Sequence, residues 1–174
     1  MNKPLNTRGP GSLLLALGLG MVALSSAHAD SGRMLPRDIP AADTAECAAC
    51  HTAYPPGMLP APSWNRIMNG LDKHYGTDAS LDAATVKQLS TWLQTNAGTY
   101  KRVREAPPED RITRSEWFLR ERRKLDPSVW SHMSVKSAAN CAACHTGADR
   151  GAYDDDNLRF PAGLDQRHRR AFMD

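Results

Sequence analysis

The sequence predicts an all-α chain on three observations. Apolar residues recur at helical spacing in two clear stretches, no segment alternates convincingly as a strand, and the four cysteines stand in two C-x-x-C-H runs whose spacing suits a helical turn. Taken in order, Lys3 and Arg8 precede an apolar run from Leu13 to Leu24, and Ala27-His28-Ala29 follows. This is the form of a secretory signal peptide over residues 1–29, cleaved after Ala29. Its apolar run of about a dozen residues is too short to span a bilayer, which needs roughly 20. The expected mature protein is one exported, periplasmic and soluble domain, residues 30–174, without stable membrane insertion.

Within it, residues 30–43 hold Pro36 and Pro40 and read as an extended leader. A helical turn is expected over Ala45 to Thr52, stopped by Tyr54-Pro55-Pro56-Gly57. Ser63 is the expected cap of a helix whose apolar face carries Trp64, Ile67, Met68, Leu71 and Tyr75. A second helix follows Thr77-Asp78-Ala79-Ser80, with Leu81, Val86, Leu89, Trp92 and Leu93 inward and Gly98 as terminator. Residues 101–112 are basic, contain Pro107-Pro108 and link two halves of about 44–100 and 111–161. Thr113-Arg114-Ser115-Glu116 has the form of a capping box opening a helix with Trp117 and Phe118. A last helical segment is expected near Ser137 to Ala148. The acidic run Asp154 to Asp156 and the basic tail 165–174 look solvated.

Composition then poses a problem that the cysteines answer. The segment 30–174 holds only 20 Leu, Ile, Val and Phe, roughly 14%, below the usual globular level. Its charge is nearly balanced, so neither strong self-repulsion nor a nucleic-acid partner is expected. Something besides side chains must supply core. Cys47-Ala48-Ala49-Cys50-His51 and Cys141-Ala142-Ala143-Cys144-His145 both have the pattern of c-type haem attachment. Cysteines three apart on a helical turn face one side and reach both porphyrin vinyl groups, and the next residue, His51 or His145, falls under the iron. Two disulfides, a zinc site or a thioredoxin-like pair would leave the histidine after each pair, or the second copy, unexplained. Two c-type haems consume all four cysteines.

The sixth ligand of each iron decides whether a haem is closed to electron transfer alone or open to substrate or gas. Three histidines remain: His74, His132 and His168. His74 continues the face of Trp64, Ile67 and Leu71 and is expected as the distal ligand of the first iron. His132 lies nine residues before Cys141, within reach of a loop folding over the second haem, and is expected to complete that site. The alternatives are Met133, which would raise the potential, or an open iron. Nine Lys or Arg fall between Lys101 and Lys124, able to pair with haem propionates or to form a docking surface.

The run Cys47 to Pro56, then Leu59-Pro60-Ala61, Ser63-Trp64, Ile67-Met68, His74-Tyr75-Gly76, Arg111-Ile112-Thr113, Trp117-Phe118 and Asn140 to His145, resembles the dihaem cytochrome c family, DHC, over about residues 44–161. The resemblance implies a small helical periplasmic electron-transfer protein, not an enzyme, with haems forming much of the core. It also implies two histidines on each iron, His74 among them. Relatives carry a histidine a few residues after the Trp-Phe pair, where this chain reads Arg120-Glu121-Arg122-Arg123. As redox partners, the resemblance implies a monohaem oxygen-binding cytochrome and a membrane cytochrome of the b type. The competing reading is a small haem enzyme or gas-binding module with an open second iron.

Overall fold

The computed structural model describes residues 34–100, 103 and 105–169; the expected signal peptide and the last five residues lie outside these. Helix α1, Ala61–Asn69, starts two residues ahead of the expected cap. Pro60 is extended and Pro62 sits in the first turn, where a missing N–H costs nothing. Ser63 is buried inside the helix. Helix α2, Ala83–Thr95, is capped by Asp82 and not by the Thr77–Ser80 run. The Asp82 carboxylate accepts from the backbone N–H groups of Ala84 and Thr85 at 2.9 and 3.0 Å. Asp78 makes a local turn with the Ser80 N–H at 2.9 Å.

These two helices pack together and bury Leu59, Trp64, Met68, Leu89, Trp92 and Leu93 as one cluster. A fully buried leucine such as Leu89 contributes about 1.5–3 kcal/mol of transfer free energy. Trp64 Nε1 donates to the Pro56 carbonyl at 2.7 Å, so the Pro-Pro-Gly turn is tied to the same core. Gly98 closes the unit: its N–H donates to Leu59 O at 2.9 Å. A Cβ there would lie 2.6 Å from the Gly57 carbonyl, too close to fit.

The expected helical stripe through Tyr75 is interrupted. The chain leaves α1 at Gly70, makes a single 3-10 turn over Leu71–Lys73, and then folds into a tight turn. There Tyr75 and Gly76 take positive φ values of 51° and 98°, and the Thr77 N–H returns to His74 O at 3.0 Å. His74 is therefore held by a turn and not by a helix face.

The second half is built from shorter pieces. Helix α3, Glu116–Glu121, is capped by the Ser115 hydroxyl, which accepts from the Phe118 N–H at 3.1 Å. The predicted pairing of Thr113 with Glu116 does not form, because Ile112–Arg114 makes its own 3-10 turn. Helix α4, Ser128–Ser131, was not expected and follows an Asp126 carboxylate that accepts from the Ser128 N–H at 2.9 Å.

The expected helix from Ser137 to Ala148 reduces to 3-10 turns at Cys141–Ala143 and Ala148–Arg150. The chain between them is held by cross-links to residues 157–159: Thr146 N–H to Asn157 O at 3.0 Å and Arg159 N–H to Cys144 O at 2.7 Å. Isolated bridges occur, but no strand exists among the described residues. The tail is not simply solvated. Leu164 joins Val129, Val135 and Ala143 in a second cluster. His168, on helix α5, Gln166–Arg169, is buried with its Nε2 3.1 Å from the Ser128 hydroxyl. The arginines around it hid one inward-facing side of a short helix. None of the described helices is long and apolar enough to cross a membrane.

Candidate functional site

Two small clusters leave a large space. A cavity of about 1260 Å³ is lined by Cys47, Cys50, His51 and His74 and also by Cys141, Cys144 and His145. Ordinary single-ligand pockets measure roughly 300–1,000 Å³, and protein interiors do not hold voids of this size by themselves. Trp64, Tyr75, Trp117 and Phe118 wall it, whereas Trp92 belongs to the α1–α2 core. The Tyr54 hydroxyl donates to Ala139 O at 2.8 Å, joining the first motif to the residues leading into the second.

The first motif follows a single wide turn, Asp43–Cys47, shorter than the Ala45–Thr52 turn expected. His51 Nδ1 lies 2.7 Å from Thr52 O. A carbonyl only accepts, so Nδ1 carries the proton and the Nε2 lone pair is free for a metal. His74 stands opposite, with ring centroids 6.2 Å apart and planes inclined by 19°. An imidazole holds a metal at about 2 Å through one nitrogen, so two imidazoles on opposite sides of one metal have centroids roughly 6 Å apart. The separation of the two rings matches that of two imidazoles sharing one iron. Burial, then the neighbouring His51, lowers the pKa of His74 and favours the neutral, ligating form. Tyr54 stacks on His51 at 4.8 Å and Tyr75 meets His74 edge-on at 4.9 Å.

No disulfide joins any of the four cysteines. Burial, followed by the Asp43 carboxylate, pushes Cys47 up to about 12, and burial pushes Cys141 up to about 11. Neither has the low-pKa thiolate of a redox dithiol. Among the described residues no group of three or more His, Cys, Asp or Glu is arranged as a metal cage.

At the second motif His145 is buried, with Nδ1 lacking a partner and Nε2 2.9 Å from Arg122 Nη2. A guanidinium is always protonated and only donates, so the His145 Nε2 lone pair accepts and Nδ1 carries the hydrogen. Burial, then the Arg122 charge, pushes His145 down to about 4. Tyr153 lies beside it at 5.3 Å, its hydroxyl buried without a partner.

The structure does not bring His132 to this cavity. Its Nδ1 accepts from the Ser134 N–H at 3.2 Å and pairs with the Ser134 hydroxyl at 2.8 Å. Its ring lies against Gly163, where a Cβ would meet Cε1 at 3.3 Å. The loop before Cys141 turns back on itself: the N–H groups of Val135 and Lys136 both bond His132 O. Met133 is 83% exposed. The sequence reading did not foresee the Tyr54 tie or the place of Tyr153, and neither carries a motif signal.

A helical chain that gathers two C-x-x-C-H segments around one shared cavity has the architecture of a c-type cytochrome with two haems. Residues 43–153 match the family described as Dihaem cytochrome c. Two solved structures from Rhodobacter sphaeroides, a DHC and a diheme cytochrome c, are each 38% identical. They cover 68% of this chain and 99% and 98% of their own, with TM-scores of 0.58 and 0.60. A diheme cytochrome type c from Shewanella baltica OS155 is 31% identical, covers 71% of this chain and 96% of its own, and has a TM-score of 0.62. Among curated proteins none matches. The chain belongs to the dihaem cytochrome c family and carries two covalently bound c-type haems, with Cys47/Cys50 and Cys141/Cys144 in the attachment positions.

Proposed function

We propose that the protein is an exported, periplasmic one-electron carrier and not an enzyme, with His51 and His74 as the two axial ligands of the first iron. The observation that carries this is the 6.2 Å pairing of the two imidazoles across the cavity. When bound, each haem supplies an iron that alternates between ferric and ferrous states. Two histidines close the first iron to substrate and favour a lower potential than a methionine would. The Thr52 carbonyl fixes the His51 tautomer and raises its basicity, while Tyr54 and Tyr75 pack against the two imidazoles. His145 offers its Nε2 to the second iron from a buried position. Because both motifs line one cavity, haems held on them would be neighbours, as passage of electrons between them requires.

A monohaem oxygen-binding cytochrome and a membrane b-type cytochrome are the proposed acceptor and donor, following the family resemblance. The test is reductive titration of protein recovered from the periplasm. The reading requires a mature mass with two haems beginning at Asp30, and two reversible one-electron steps. A single haem, or irreversible reduction, would overturn it.

A further inference from the structure

The second iron position is faced by a cation that cannot ligate it. Arg122 Nη2 sits 2.9 Å from His145 Nε2, on the lone pair with which a proximal histidine holds iron. The guanidinium thus occupies the iron's side of the ring, reaching across the cavity from the end of α3. Its backbone is fixed there: the Arg122 N–H bonds Phe118 O at 3.0 Å, and the guanidinium lies 5.8 Å from the Phe118 ring. A porphyrin seated on His145 would separate the two groups, leaving the arginine facing the iron from the opposite side. Arginine keeps its proton and has no lone pair to give. Among the described residues no histidine or methionine is seen opposite His145: His132 is bonded to Ser134, His168 lies 3.1 Å from the Ser128 hydroxyl, Met133 is exposed, and Met58 and Met68 are buried in the first half.

We propose that the second iron keeps an exchangeable sixth position, and that Arg122 binds a small anion there. A guanidinium above a ferric iron combines two cationic partners for one ligand: the metal takes the donor atom and Arg122 donates a charge-assisted hydrogen bond to the other end. A neutral diatomic ligand of ferrous iron gains far less from that bond. The site therefore discriminates by charge. This inference rests on the two-haem reading, and it divides the labour between a closed first iron and a second iron that meets ligands.

Azide is the probe, added to the oxidised holoprotein and followed by optical and EPR spectra, with carbon monoxide added to the reduced protein as a neutral comparison. The wild type is expected to show one low-spin and one exchangeable iron, and to bind one azide and one carbon monoxide per molecule. Arg122→Leu should weaken azide roughly tenfold to a hundredfold while changing carbon monoxide affinity by less than about threefold. Arg122→His should close the site, abolishing both and turning the second iron low-spin. Two low-spin irons with no ligand binding in the wild type would overturn the proposal, since a lysine such as Lys136 or a rearranged His132 would then hold the sixth position. Azide affinity unchanged in Arg122→Leu would also overturn it, placing the arginine on a propionate instead. Either result leaves the carrier reading standing if the mass still shows two haems, whereas a mass with fewer than two removes that reading independently.

Discussion

His74 reaches His51 from a turn in which its neighbours Tyr75 and Gly76 take positive φ values, and the sequence identified the residue by a helix that ends before it. The periodicity from Trp64 through Leu71 points inward correctly, and the 3-10 turn at Leu71–Lys73 happens to keep His74 on that side. Replacing His74 with Ala should open the first iron, giving a new high-spin signal and carbon monoxide binding at an additional haem. An unchanged spectrum would show that His74 is not the ligand. The same turn is braced by charge. Arg66 holds the Asp110 carboxylate at both oxygens, 2.8 Å from Nε and 2.6 Å from Nη2, while the Tyr75 hydroxyl donates to Asp110 O at 3.1 Å. The Arg66 hydrogen bonds hold Asp110 below its ordinary value of 3.8. A depressed carboxylate stabilises the fold above its unfolded pKa and loses that contribution as pH falls through the folded one. Urea midpoints of wild type and Asp110→Asn should therefore differ near pH 6 and converge as pH falls below about 4. A gap that persists in acid would assign the difference to packing.

Helices α1 and α2 were legible because each is long enough to repeat its apolar face, and α3 because of the polar residues at its start, whereas α4 and the second attachment segment are shorter than two turns and give no period to read. Their ends were less legible than their centres. Asp82, not the preceding polar run, satisfies the first N–H groups of α2, and Ser80, two residues earlier, looks equally suited in sequence. Asp82→Ala should lower the urea midpoint of the holoprotein without altering the haem spectrum. If instead the spectrum moved, α2 would be supporting an iron ligand directly. The attachment segments differ in kind, since their conformation is set by cross-links such as Arg159 N–H to Cys144 O and not by local propensity. Cysteine spacing found both segments, but it could not reveal that Arg122 would arrive at His145 from α3. His132 was favoured on chain proximity to Cys141, and the turn at Val135 and Lys136 directs it elsewhere.

For the molecule as a whole, the scarcity of aliphatic residues and the cavity of about 1260 Å³ are one fact seen twice. The side chains complete two separate clusters, around Leu89 and around Val129, and do not fill the space between them. Porphyrin buried against Trp64, Ile67, Met68 and Phe118, which line the cavity, would supply the apolar contact that the chain lacks. Loss of a haem should accordingly be a folding defect before it is a redox defect. Cys47→Ala with Cys50→Ala removes the covalent tether of the first haem while leaving His51, His74 and every residue of α1 and α2 in place. Without the tether, the walls formed by Trp64 and Met68 would face water or collapse, and large core voids are costly in proportion to their volume. The double variant should carry one haem by mass, unfold at lower temperature and lose cooperativity in its first half, read as early loss of the Trp64 and Trp92 near-ultraviolet signals. The matching change at Cys141 and Cys144 should spare those signals, because their tryptophans lie in the α1–α2 cluster. If the Cys47/Cys50 variant unfolded at the wild-type temperature with one haem, α1 and α2 would be stable without porphyrin, and the haem would be cargo and not core.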